Sequence, residues 1–162
     1  MIEYSLQHGF NETTFINFIA ELDIAIMKYK LNCKSARGIC LIGGGETTTV
    51  LSSQPGKGGR NQEMTLAFAI YLKSKLNSKF KNFNISFLSC GTDGQDGPTD
   101  ATGAVVNSFD LLDECFDKNE ALRSLKNSNS YGFFEKRGKG LIKTGITGTN
   151  VMDLQIMSVC FK

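Results

Sequence analysis

The sequence predicts an α/β protein: a layered, mixed sheet flanked by helices, with glycine-rich loops at the carboxyl ends of its strands. Three observations predict this. Helically spaced apolar residues alternate with short apolar runs, two of those runs break directly into glycine loops, and 41% apolar against 21% charged residues is ordinary globular usage. A chain of 162 residues is long enough for one domain with a real core, or one lobe of something larger, and too short for two full domains.

In chain order, Phe15, Phe18, Ile19, Leu22 and Ile26 recur at three- and four-residue steps, with Asn11 or Thr13 able to cap the first turn, which predicts an amphipathic helix. The run Gly38-Ile39-Cys40-Leu41-Ile42 is short and uniformly apolar, as expected of a strand covered on both faces, and stops at Gly43-Gly44-Gly45. The β-branched stretch Thr47 to Leu51 suggests a second short strand. From Asn61, Met64, Ala67, Phe68, Tyr71, Leu72 and Leu76 line one helix face that Leu66, Ala69 and Ile70 widen, so this helix is mostly buried. Lys73 and Lys75 close it, where positive charge complements the helix dipole. Ile85 to Cys90 and Ala101 to Val106 are read as strands, Ser108 to Phe116 and Asn119 to Leu125 as helices, Asn127 to Ser130 as a polar turn, and Leu154 to Phe161 as a closing strand. Repeats, low-complexity tracts and clear linkers are missing from the sequence.

The densest chemistry is Gly91-Thr92-Asp93-Gly94-Gln95-Asp96-Gly97-Pro98-Thr99-Asp100, which follows an apolar strand. Asp93 and Asp96 are near enough in sequence to share a hard cation, or to divide metal binding from orienting a hydroxyl nucleophile. Mg²⁺ suits one or two carboxylates plus substrate phosphates, and the spacing is not that of an EF-hand. The bland alternative is a pair of Asx turns ahead of Pro98. Gly56-Lys57-Gly58-Gly59-Arg60-Asn61 runs into a helix, so its amides and the helix N-terminus offer an anion site, with Arg60 as a guanidinium fork and Asn61 as cap or ligand contact. A capped helix after a flexible hairpin is the alternative there. The Walker spacing fails, and Gly43-Gly44-Gly45-Glu46-Thr47-Thr48 opens no helix, which weakens dinucleotide binding. Thr147 and Asn150 add a hydroxyl and an amide before the last strand.

Several classes are disfavoured. A net charge of +2 with dispersed lysines gives no nucleic-acid footprint. No apolar run approaches the roughly 20 residues of a membrane span, and Met1 to Phe10 has no signal-peptide core. His8 is the only histidine, which disfavours histidine general-base chemistry and His-ligated zinc. The five cysteines form no Cys-x-x-Cys pair, and Cys40, Cys90 and Cys160 lie in apolar runs, so buried reduced thiols in a cytoplasmic or otherwise reducing compartment are expected.

Four ordered motifs across roughly residues 37 to 160 carry a resemblance: Gly44-Gly45-Glu46-Thr47-Thr48, Gly58-Gly59-Arg60-Asn61-Gln62-Glu63, Gly91 to Ala101, and Thr147-Gly148-Thr149-Asn150-Val151-Met152-Asp153-Leu154. Together they resemble the MOFRL domain, the C-terminal domain of glycerate kinases that phosphorylate the 2-hydroxyl. The resemblance implies residues 37–162 as that domain, with 1–36 a helical lead-in left from a preceding region. It implies ATP-dependent, Mg²⁺-assisted conversion of D-glycerate to 2-phosphoglycerate in a cleft shared with a larger N-terminal domain. Arg60 matches the family's active-site arginine, and Asp93 and Asp96 fall at the nucleotide and metal end, with Asp93 also catalytic. Gly44, Gly45, Glu46, Thr47, Gly58, Gly59, Asn61, Gly94, Thr147 and Asn150 are the expected cofactor contacts. Ile146 departs from the family's proline before Thr147. Because a catalytic lysine of these enzymes belongs to the N-terminal domain, the chain is expected to hold half a site and to be inactive alone. A non-catalytic anion- or nucleotide-binding or assembly module, and a hydroxypyruvate reductase, are the competing readings.

Overall fold

The computed structural model describes residues 38–46, 48–76, 80–112 and 116–161. The helix expected from Asn11, His8, Cys33, Thr47, Cys115 and the stretch 113–115 lie outside those residues.

Five strands form one sheet: β1 (Gly38–Gly45), β2 (Phe83–Gly91), β3 (Gly103–Asn107), β4 (Leu141–Ile142) and β5 (Asp153–Phe161), in spatial order β1-β5-β2-β3-β4. The helices are α1 (Arg60–Lys75), α2 (Ser108–Leu112), α3 (Lys118–Lys126) and α4 (Ser130–Arg137). The α/β layered class stands, but every described strand pairing is antiparallel, so the mixed strand directions expected from the sequence are not adopted. The reason lies in β5, which inserts between β1 and β2 and runs against both.

Antiparallel strands alternate between a covered and an open face. Ile85, Phe87 and Ser89 on β2, Ala104 and Val106 on β3, and Met157 and Val159 on β5 point to the covered side. There they meet Leu66, Phe68, Ala69 and Leu72 of α1, with the Phe68 and Phe87 rings stacked 4.5 Å apart. At about 25 cal/mol per Å² of apolar area removed from water, this layer of large side chains is the main source of stability. The burial of α1 agrees with the sequence pattern, and its start and end differ from it by one residue at most.

Other expectations fail on the same face rule. β1 is not covered on both sides: Cys40 is exposed and Ile42 is 69% exposed. Cys160 is exposed too, so of the three thiols expected to be buried only Cys90 is partly covered. Thr48 to Leu51 is not a strand, and Val50 is 95% exposed, because no strand among the described residues pairs with it. Ser130, expected in a turn, begins α4, whose Tyr131, Phe133 and Phe134 are buried, and the short β4 was not anticipated.

Candidate functional site

The glycine loops meet at one end of the sheet, and they do so backbone to backbone. A Cβ on Gly59 would lie 2.3 Å from the Asp96 carboxyl carbon, and one on Gly97, at φ 60°, would lie 2.3 Å from the Gly58 carbonyl oxygen. Only glycines permit that approach. It brings Asp96 to the N-terminus of α1, where Oδ1 accepts from the Asn61 amide at 3.1 Å and Oδ2 from the Gln62 amide at 2.9 Å. Asn61 Nδ2 donates to Oδ1 at 3.3 Å, and Gln62 Nε2 donates to the Asp96 carbonyl at 3.2 Å.

The N-terminus of α1 is not an open anion site, because the anion it binds is the chain's own Asp96. Asp96 is 2% exposed, and both of its carboxylate oxygens accept from α1 amides. Burial pushes its pKa up, and the amide hydrogen bonds from Gln62 and Asn61 oppose that rise. Asp93 differs. Partly exposed, it accepts the Gln95 amide on Oδ1 at 3.0 Å in an Asx turn, and no described residue bonds its Oδ2. Among the described residues no cluster of three or more His, Cys, Asp or Glu side chains could hold a metal.

Arg60, the first residue of α1, donates from Nε to Asp153 Oδ2 at 2.7 Å and from Nη2 to Asp153 Oδ1 at 3.0 Å. Its Nη1 lies 3.3 Å from Glu46, whose carboxylate is half exposed. The hydrogen bond to Asp153 raises the arginine pKa despite partial burial, so Arg60 carries its charge at any working pH. Asn61 is a hub: Nδ2 reaches Asp153 Oδ1 at 3.0 Å as well as Asp96, and its Oδ1 accepts from Ser89 at 2.5 Å. Buried carboxylates need such partners, since an unpaired one costs several kcal/mol, roughly.

The loop after β2 is tied to the loop before β5. Thr147 N donates to the Asp93 carbonyl, Thr147 Oγ1 to the Thr92 carbonyl, and Val151 N to Thr92 Oγ1. Gly94, at φ 94°, packs on the Gly145 carbonyl with no room for a Cβ. Asn150 Oδ1 accepts from Met152 N, supporting Met152 at φ 70°. Gly44 and Gly45 pair with Leu154 and Asp153 on the other side. Arg60, Glu46, Gly58, Gly59, Asp93, Gly94, Thr147 and Asn150 therefore lie on the loops at one rim, while Asn61 and Asp96, both buried, lie beneath it. Asp153 and Ser89 were missed by the sequence reading. Asp153 looks like an ordinary strand-leading residue until pairing shows Gly45 and Gly91 on either side of it.

The profile of the MOFRL family matches residues 39–153. A glycerate kinase of Mus musculus is 42% identical over 126 residues, covering 76% of this chain and 23% of the mouse protein. A D-glycerate 2-kinase of Thermotoga maritima is 42% identical over 116 residues, covering 72% of this chain and 26% of that protein. The crystal structure of glycerate kinase from Thermotoga maritima superposes with a TM-score of 0.63 at 37% identity, over 85% of this chain and 31% of that one. The chain thus spans about a quarter of the length of the relatives it matches. With the family profile covering most of the sequence and the same fold in a solved relative, this chain belongs to the MOFRL family.

Proposed function

We propose that this chain provides one wall of a glycerate kinase active site, in which ATP phosphorylates the 2-hydroxyl of D-glycerate to give 2-phosphoglycerate. The observation that carries the reading is Arg60: a permanently charged guanidinium, gripped on one edge, with its other edge at the rim where the glycine loops converge. The relatives' names supply the reaction.

Phosphoryl transfer asks a protein chiefly to position the groups and offset charge on the oxygens. Arg60 Nη1 meets the carboxylate of glycerate or the transferring phosphoryl group, and the incoming anion displaces Glu46. The amides of Gly58 and Gly59, together with Thr147 and Asn150, line the path of the phosphates. Gly44 and Gly45 keep that path free of side chains, and Gly94 lets the Asp93 loop pack on Gly145. Asp93, not Asp96, is the carboxylate left for Mg²⁺, which supplies neutralisation of phosphate charge when bound and commonly uses few protein carboxylates. Asp96 serves underneath, holding α1 so that Arg60 points outward. The other wall, with the family's catalytic lysine, belongs to an N-terminal glycerate kinase domain, and the free thiols Cys40, Cys90 and Cys160 suit a reducing compartment such as the cytoplasm. Among the described residues no helix is long and apolar enough to cross a membrane.

A chimera tests this. Residues 38–161 replace the matching quarter of the Thermotoga maritima enzyme, and 2-phosphoglycerate formation is followed with D-glycerate and Mg-ATP. Turnover is expected, with a loss of at least 100-fold in kcat/KM for Arg60→Ala, in keeping with removal of a charge-stabilising donor. A folded chimera that binds Mg-ATP but makes no product would favour a non-catalytic module, and oxidation of reduced nicotinamide by hydroxypyruvate would favour the reductase.

A further inference from the structure

We propose that Asp153 is the positioning residue of this site, fixing which edge of Arg60 is offered to an anionic ligand. The inference rests on the functional reading only in taking an anion as what Arg60 meets.

The placement begins with strand register. Asp153 is the first residue of β5, and its cross-strand neighbours are Gly45 on β1 and Gly91 on β2. Directly opposite residues on a sheet normally crowd one another. Here both cross-strand neighbours are glycines, and the Asp153 carboxylate meets Arg60 and Asn61 in the first turn of α1. The carboxylate is fully shielded, with a side-chain exposure of 0%, whereas the Arg60 side chain is 36% exposed. Charge is therefore arranged in depth: anion inside, cation toward the rim.

The contact is a fork. Nε and Nη2 are both taken by Asp153, at 2.7 and 3.0 Å, and Asn61 Nδ2 holds Oδ1 at 3.0 Å. Two parallel bonds fix the plane of a guanidinium, which a single bond does not. Nη1 is left for the rim, where it lies 3.3 Å from the Glu46 carboxylate. Glu46 stands where an arriving carboxylate or phosphate oxygen would stand.

This arrangement separates two roles that Asp153 would play with opposite signs. As a mere countercharge it would weaken anion binding, and Asp153→Asn would tighten it. As a positioning residue it strengthens binding, and Asp153→Asn weakens it even though a negative charge has been removed.

The full chain is titrated with inorganic phosphate by calorimetry as wild type, Asp153→Asn and Glu46→Gln, while the Arg60 Nε–H signal is followed by ¹⁵N NMR. Asp153→Asn should lose at least tenfold in phosphate affinity, Glu46→Gln should gain severalfold, and the Nε–H signal, slowly exchanging in the wild type, should be lost in Asp153→Asn. Equal or tighter binding by Asp153→Asn, with the Nε–H signal retained, overturns the proposal. If the wild type binds no phosphate, the anion reading of Arg60 fails, and the Nε–H signal alone decides the positioning claim. Should Asp153→Asn not fold, Nε–H exchange in the unsubstituted chain still decides it: exchange as fast as that of a solvent-exposed arginine overturns the proposal.

Discussion

Asp100 and Lys143, both exposed, form a triad with the buried Tyr131. Tyr131 Oη donates to Asp100 Oδ1 at 2.7 Å, Lys143 Nζ to Oδ2 at 2.8 Å, and the Lys57 ammonium lies 3.8 Å from the Tyr131 ring centre. The Lys143 and Tyr131 hydrogen bonds hold the Asp100 carboxyl down to about 2 from its ordinary 3.8. A carboxylate with a depressed folded-state pKa contributes stability above the unfolded value and loses it as pH falls through the folded one. The window is therefore from about 4 to about 2. By ¹³C NMR, Asp100 should titrate at about 2 in the wild type and move up toward 3.8 in Lys143→Met. An unmoved midpoint would mean that the pair is not formed in solution. This triad shows what was and was not legible at single residues. The role of Asp100 was not legible, since its partners lie 31 and 43 residues away. Arg60 was legible because it stands in a glycine loop entering a helix, whereas its holder Asp153 is 93 residues distant and no spacing rule joins them.

Elements with their own internal signal were legible: α1, β2 and β5 each carry an uninterrupted apolar pattern that matches a single secondary structure. Those that depend on neighbours were not. The β-branched residues around Val50 have no partner strand among the described residues, and strand propensity is largely a fit to a half-covered pleated surface. α4 has its apolar residues at Tyr131, Phe133 and Phe134, a spacing that marks neither period, and it is a helix because those rings have a core to enter. The start of α1 is the instructive case. Its N-cap residue, Gly59, has no side chain, and the cap comes instead from Asp96 in the other loop. Asp96→Asn replaces one acceptor oxygen by a donor facing a backbone N–H and removes the anion that complements the helix dipole. Relief of carboxylate burial offsets part of that loss. The donor clash should win, because a buried unsatisfied group costs about 1–3 kcal/mol. Urea unfolding is expected to show a loss of that size with an unchanged m-value. A neutral or stabilising result would mean that the α1 terminus is held by packing alone.

At the scale of the molecule, β5 joins fold and site. It is central in the sheet, pairing with β1 over eight residues and with β2 over nine, and its core-facing residues Met157 and Val159 continue the line that begins with Asp153. Arg60 binds Asp153 directly, so a ligand engaging Arg60 pulls on the strand that holds the sheet together. Linkage makes this measurable: a ligand that binds only the folded state adds RT ln(1 + [L]/Kd), about 2.7 kcal/mol at a hundredfold excess over Kd. Phosphate at that excess should raise the urea midpoint of the wild-type chain by the corresponding amount. Arg60→Ala should show no such shift. Met157→Ala removes a residue that is 1% exposed and should cost about 2–5 kcal/mol, yet keep the full phosphate increment, because it empties the core without touching the Arg60 fork. The comparison separates a core defect from a site defect within one strand. If Met157→Ala abolished the phosphate increment as completely as Arg60→Ala, anion recognition would depend on the packing of the whole sheet, and the rim at Asp153 could not be treated as a preformed site.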